Sequence, residues 1–239
     1  MPAERSARLQ IAKTYPYDAP AASYLFRDGG VHPIADADFR GRAAVIGHGS
    51  NRAPQQLARK FSHLSGRDSE IPVTYVWLHD YDVVYSAHVT AYGAVASTLQ
   101  ATPGCRVRVA LTWLDQVQLQ RMHETEGNYS YGSLAGARLE AEAGPDVRGG
   151  EVTMYLSDHG CLSDGGTPVA LAAVPAEGRP HRALWQTEMH AEIHRRTASD
   201  LHLDDFILAA VENPAARRTR IGQLRADAIA ANVPHFQPL

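Results

Sequence analysis

The chain has 239 residues, of which 44% are hydrophobic and 21% charged, a composition typical of a globular protein rather than a disordered, collagenous or coiled-coil chain. Its 23 Lys and Arg residues against 26 Asp and Glu residues give a net charge of -3, so no basic surface for a nucleic-acid partner is indicated. No run approaches the roughly 18 consecutive apolar residues of a membrane helix, so no membrane partner is expected.

The expected compartment follows from the first residues and the cysteine content. Residues 1–17 carry several charges and no apolar core, which does not match a secretory signal. The two cysteines, Cys105 and Cys161, indicate no disulfide framework in a chain of this size. We therefore expect a protein of the reducing cytoplasm.

Proline and glycine residues divide the chain into predicted strands, helices and loops. Four prolines and the pair Gly29 and Gly30 interrupt residues 1–40, which predicts an extended arm packed on a core. In the rest of the chain, runs of apolar residues and the alternation of apolar with polar residues predict strands, and apolar residues at helical spacing predict helices. The first predicted elements are a strand at 43–46, a glycine loop at 47–51, a helix from Pro54 and a hairpin of strands 71–79 and 81–87. Next come strands 94–99 and 106–110 around a turn at Pro103 and Gly104, a helix ending by Gly127, and a hairpin of strands 131–141 and 151–156 with Gly149 and Gly150 between them. The last predicted elements are helices 183–198, 203–212 and 215–232.

The glycine loop is the first candidate for chemistry, and it consists of Gly47, His48, Gly49, Ser50 and Asn51. Glycines between a strand and a helix can take positive φ and leave backbone N–H groups free to hold a carboxylate or an oxyanion. A plain connector that needs glycine for its geometry is an equally good interpretation. The loop lacks the lysine of a phosphate-binding P-loop and the third glycine of a dinucleotide fingerprint.

A pair of carboxylates near the end of a predicted helix is the second candidate. Glu124 and Glu126 precede Gly127, with Tyr129 and Tyr131 shortly after. The negative end of a helix dipole and burial both favour the protonated carboxyl, an environment suited to proton transfer. A solvated acidic helix end is the alternative interpretation.

Two histidines four residues apart form the third candidate. His190 and His194 lie on one helix face and have the spacing of metal ligands, but the glutamate does not directly follow the first histidine as in a zincin. A polar helix face is the favoured interpretation, and no metal is expected.

Taken in order, residues 42–162 resemble the γ-glutamylcyclotransferase-like family. The motifs that carry the resemblance are the strand and glycine loop at 44–51, aromatic strands at 73–78 and 81–85, the strand at 96–99, the turn and strand at 102–107, Trp113-Leu114-Asp115, Glu126-Gly127 and Tyr131. The resemblance implies an α+β fold built on a small closed or nearly closed β-barrel with outer helices. It divides the chain into a 1–40 arm, a 41–180 barrel domain and a 181–239 helical extension of the same domain.

The resemblance also implies a reaction. The α-amine of a γ-glutamyl amide or peptide would attack its own δ-carbonyl and give 5-oxoproline and a free amine, with Glu126 as general acid and base. The five loop residues, with Tyr131 preferred over Tyr129, would bind the substrate. Neither a metal nor an organic cofactor is implied, because ring closure needs mainly orientation.

The main departure is His48, which replaces the loop tyrosine of the family and places a titratable ring at the mouth of the expected site. Two alternatives stay open: a non-catalytic member of the same fold that binds a small molecule, and a metal-dependent hydrolase using His190 and His194. The arm and the C-terminal helices are candidates for a cap on the pocket or for a homodimer surface.

Overall fold

The computed structural model describes residues 2–147, 152–197 and 199–239. Its helices are α1 (Pro2–Lys13), α2 (Pro54–Phe61), α3 (Gln116–Thr125), α4 (Gln186–Arg196), α5 (Leu203–Glu212) and α6 (Pro214–Ala226). Its strands are β1 (Tyr24–Arg27), β2 (Gly30–Pro33), β3 (Ala43–Gly47), β4 (Ile71–Val89), β5 (Val95–Leu114), β6 (Tyr129–Leu134), β7 (Leu139–Ala141), β8 (Thr153–Ser157), β9 (Ser163–Asp164), β10 (Thr167–Pro168), β11 (Ala170–Leu171), β12 (Ala176–Glu177), β13 (Ala183–Leu184) and β14 (Phe236–Pro238).

One large mixed sheet organises the fold. Twelve strands belong to it, and its main path runs β13-β11-β4-β5-β3-β8-β6-β14. Strands β9 and β10 form a separate pair. The α+β class is therefore confirmed, but the expected barrel is wrong: within the described residues no pairing joins β13 to β14, so the sheet is open.

The two longest strands correct the predicted first hairpin. Residues 71–79 and 81–87 belong to the single strand β4, which pairs antiparallel with β5. The expected turn at Asp80 is a bulge, where Asp80 takes a φ of 63° and its Oδ1 accepts a hydrogen bond of 2.9 Å from the N–H of Gly104. Gly104, at a φ of 79°, belongs to the second expected turn. The two breaker signals thus mark matching irregularities in one continuous ladder.

The second hairpin is only partly as expected. Strands β6 and β8 pair antiparallel, whereas β7 leaves them and pairs with β4. The predicted turn residues Gly149 and Gly150 lie outside the described residues, as does Glu151.

Both ends of the chain depart from the expected pattern. Residues 2–13 form helix α1 rather than an extended segment, because Ala, Glu, Arg, Leu, Gln and Lys dominate them and favour a helix. Near the other end, Ala183 and Leu184 form β13 beside β11, so α4 begins only at Gln186. Ala198, the predicted last residue of that helix, lies outside the described residues. Helix α5 has the predicted bounds.

The larger hydrophobic core draws on all three predicted segments of the chain. Ala12 and Tyr15 from the arm, Val109 from the sheet, and Ile193 and Phe206 from the C-terminal helices are among its buried members. The division at residues 40 and 180 remains a prediction. No helix of the described residues is long and apolar enough to span a membrane.

Candidate active site

A cavity of about 360 Å³ opens beside the end of β3. Helix α2, the end of α3, the turn between β4 and β5, the arm and strands β6 and β8 contribute to its other walls. Its polar and charged lining residues are Tyr15, His48, Ser50, Asn51, Gln56, Arg59, Lys60, His88, Thr90, Tyr92, Arg121, Thr125, Glu126, Asn128, Tyr129 and Tyr155. The glycine loop and Glu126, both expected from the sequence to carry the chemistry, thus face the same space.

Gly49, the second glycine of the loop, lies where neighbouring side chains leave no room for a Cβ. Gly49 has a φ of -116°, which other residues also adopt, so positive φ is not the reason for glycine here. A Cβ at this position would collide with the hydroxyl of Tyr15 and would lie 2.7 Å from Oγ of Ser97. The N–H groups of Gly49 and Ser50 donate no hydrogen bond to another described residue, which leaves them free for a ligand.

Glu126 ends α3 and is held from two sides. Nδ2 of Asn51 donates a hydrogen bond of 3.0 Å to its Oε1. Nζ of Lys60, a side chain with 6% exposure on α2, forms an ion pair with the same oxygen. Burial lowers the pKa of Lys60, whereas the Glu126 carboxylate acts in the opposite direction. Glu124 by contrast points to solvent and pairs with Arg121.

His48 belongs to a buried hydrogen-bond chain. Its Nε2 lies 3.1 Å from the carbonyl oxygen of Tyr155, which can only accept, so Nε2 carries the proton. Its Nδ1 then accepts from the Ser97 hydroxyl at 3.2 Å, and Ser97 accepts from the Tyr15 hydroxyl at 2.7 Å. Burial lowers the pKa of His48, so the ring is neutral near pH 7. The expected titratable ring at the mouth is instead a neutral part of the wall.

The two candidate tyrosines have different surroundings. Tyr129 lines the cavity, and its hydroxyl donates to the carbonyl oxygen of Ser97 at 3.1 Å. Tyr131, which the resemblance favoured, lies outside the lining and packs on His123 and Tyr155 with ring centroids 4.6 and 5.1 Å away. Because alternate residues of β6 face the same side, a difference of two positions changes depth along the strand rather than direction.

A second cation faces the cavity. The guanidinium of Arg59 lies 4.3 Å from the ring centroid of Tyr92 and donates to Oε1 of Gln56 at 2.5 Å. No ion pair between Arg59 and a described carboxylate is present. Lys60 is paired with Glu126 and Arg121 with Glu124, so among the described lining residues Arg59 is the cation left to meet an anionic ligand.

The histidine pair expected as an alternative metal site serves packing instead. Nε2 of His190 lies 3.3 Å from the carbonyl oxygen of Ala12, and Nε2 of His194 lies 2.7 Å from that of Leu201. Each of these nitrogens therefore donates a proton and is not free to ligate. In the part of the chain that the structure describes, no group of three or more His, Cys, Asp or Glu side chains is placed to hold a metal ion.

Sequence reasoning missed several residues of this site, among them Lys60, Arg59 and Tyr15. A lysine and an arginine on an amphipathic helix normally face solvent, so their presence on α2 gave no signal of burial. Tyr15 lies in the arm, 82 positions before its partner Ser97, and its place depends on tertiary packing alone.

Comparisons with known proteins give little beyond this geometry. No family model and no curated protein matches the chain. A solved structure of a gamma-glutamyl cyclotransferase aligns with 70% of this chain and 87% of its own length, at a TM-score of 0.36 and 14% sequence identity. That score and identity are too low to support a statement about activity. The fold and the site by themselves define an α+β protein with a metabolite-sized cavity, in which the described residues place one acidic side chain among cations and hydroxyls.

Proposed function

We propose that this protein is a cyclotransferase that releases an amine from a γ-glutamyl amide or peptide and forms 5-oxoproline. One observation carries the proposal. The carboxylate of Glu126 and the glycine loop face the same cavity, where Asn51 joins them through its hydrogen bond of 3.0 Å. A general base and a set of oxyanion donors on one small cavity are the two components that intramolecular acyl transfer needs.

In the proposed first step, Glu126 takes a proton from the α-ammonium of the γ-glutamyl group. The free amine then attacks its own δ-carbonyl carbon, and the carbonyl oxygen becomes an oxyanion in a five-membered ring. The N–H groups of Gly49 and Ser50 have no described partner and are the candidate donors to this oxyanion.

In the second step, Glu126 returns the proton to the leaving nitrogen. The bond between this nitrogen and the δ-carbon breaks as the oxyanion collapses to the lactam carbonyl. The ring nitrogen, which carries two hydrogens after the attack, gives its second proton to the departing amine, and 5-oxoproline and an ammonium product are released. Lys60 supports both steps, because its ammonium holds the Glu126 side chain in one position without entering the reaction.

Arg59 is the candidate partner for the α-carboxylate of the substrate. Its guanidinium is fixed over Tyr92 and has no described carboxylate partner. An arginine can bind a carboxylate through two parallel hydrogen bonds and so fix its orientation. This would leave the α-ammonium of the same substrate free to approach Glu126.

The test is incubation of the purified protein with a panel of γ-glutamyl amides and dipeptides, followed by mass spectrometry for 5-oxoproline. N-acetyl-γ-glutamyl versions of the same compounds are matched controls, because their blocked nitrogen cannot attack. We expect 5-oxoproline only from the unblocked compounds. Release of glutamate instead would identify a hydrolase, and binding of the unblocked compounds without turnover would identify the non-catalytic alternative.

A further inference from the structure

A second cavity, of about 610 Å³, shares Tyr15 with the candidate active site and is otherwise lined by different residues. Its lining residues are Lys13, Thr14, Tyr15, Pro16, Tyr17, Asp18, Ala19, Pro20, Ala21, Arg52, Tyr75, Arg108, Ala173, Pro175, Trp185, Gln186 and Thr187. The arm and the first turn of α4 supply most of them, and both segments lie outside residues 42–162. Nothing in the proposed reaction uses this space.

Arg52 is the unusual group in this lining. It follows Asn51 directly, is 7% exposed, and donates from Nη2 to the carbonyl oxygen of Ala173 at 3.0 Å. Its Nε is buried and has no hydrogen-bond partner. No described carboxylate lies within ion-pair distance of its guanidinium. A buried cation without a counter-ion is costly to a folded protein, so an anion bound at this guanidinium would offset that cost.

The other charged groups on the lining do not form an ion pair with Arg52. Lys13 pairs with Asp204, and Arg108 pairs with Glu142 at 2.6 Å. Asp18 is the one carboxylate on the lining, and it makes no described ion pair. Burial is the main cause that lowers the pKa of Arg52, and the nearby charge of Arg108 acts in the same direction. An anionic ligand would relieve both effects.

Trp185 gives the cavity an apolar surface. Its residue is 58% exposed, the largest exposure among the described aromatic residues, and its backbone N–H is fixed by a hydrogen bond of 2.7 Å to Oε2 of Glu188. A large exposed indole beside a polar cavity is suited to stack on a flat ligand.

We propose that this second cavity binds a small aromatic carboxylate, with its carboxylate on the guanidinium of Arg52 and its ring against the indole of Trp185. The site is independent of the proposed cyclotransferase reaction, and its test needs no turnover.

The test is calorimetric titration of the full chain with benzoate, and with benzamide, acetate and inorganic phosphate as comparisons. Benzamide keeps the ring without the charge, and acetate keeps the charge without the ring. We expect benzoate to bind saturably and both comparisons to bind about tenfold or more weakly, since each lacks one of the two contacts. No saturable binding of benzoate, or tighter binding of phosphate than of benzoate, would overturn the proposal.

Variants then locate the site. Arg52→Gln should weaken benzoate about tenfold or more and leave benzamide unchanged, because only the charge-assisted hydrogen bonds are lost. Trp185→Ala, at an exposed position that does not endanger folding, should weaken benzoate and leave acetate unchanged. Arg182→Gln is the matched control, because Arg182 is exposed, pairs with Asp164 and does not line the cavity. Loss of benzoate binding in Arg59→Gln but not in Arg52→Gln or Trp185→Ala would assign benzoate to the other cavity and contradict the proposal.

Discussion

The side-chain amide of Asn51 donates a hydrogen bond of 3.0 Å to Oε1 of Glu126, across the 75 positions of sequence that separate the two residues. This contact fixes the carboxylate against the glycine loop, and it can persist when the carboxylate is replaced by an amide, because an amide oxygen also accepts. A substitution at Glu126 can therefore remove proton transfer and keep the contact with Asn51.

Glu126→Gln should lower turnover of a γ-glutamyl substrate by about a hundredfold or more, the range for loss of a general base, while the variant folds and still binds substrate. Glu124→Gln is the control, because Glu124 is exposed, pairs with Arg121 and does not itself line the cavity. Steady-state kinetics on both variants makes the comparison. Equal turnover of the two variants and the parent would exclude Glu126 as the base.

Lys60→Met should reduce the free energy of unfolding by about 3 kcal/mol, because it leaves the Glu126 carboxylate without its partner in a largely buried position. The double variant Lys60→Met with Glu126→Gln should recover much of this loss, since no uncompensated charge remains. Urea unfolding of the four proteins in this cycle measures the coupling. Additive effects of the two substitutions would contradict the ion pair.

Gly49→Ala should reduce both stability and activity. The expected loss of about 1–3 kcal/mol comes from steric overlap of the added Cβ with Tyr15 and Ser97. Tyr15→Phe removes the overlapping hydroxyl and should partly rescue the alanine variant. Thermal unfolding of the single and double variants tests this, and a double variant no more stable than Gly49→Ala would count against the steric explanation.

His190 should make the protein sensitive to acid. Burial lowers its pKa to about 4, so folding favours the neutral ring. Its stabilising contribution is complete above the unfolded-state value of about 6.5 and is lost as the pH falls towards 4, which amounts to about 2 kcal/mol between pH 7 and pH 5. His190→Gln keeps a donor for the carbonyl oxygen of Ala12 and should flatten this part of the pH profile. Urea unfolding at both pH values provides the measurement, and an unchanged slope in the variant would assign the effect to other groups.

Local patterns predicted the parts of the site that lie close together in sequence. The loop between β3 and α2 follows from two glycines and Pro54, and the end of α3 follows from Gly127. Long-range packing decided the rest. Asp80 is a residue type typical of turns. The apolar residues on either side of it are nevertheless buried in one strand, so burial in the tertiary structure outweighs the local preference of Asp80 for a turn. The burial of Lys60 likewise depends on Glu126, which is 66 positions away.

Tyr15 lines both cavities, so one residue of the arm contacts both candidate ligand spaces. A substitution at this residue can therefore alter both spaces at once, the one lined by Glu126 and the one lined by Arg52. The arm is then a place at which the size of the bound molecules can be engineered without altering the sheet that supports the glycine loop.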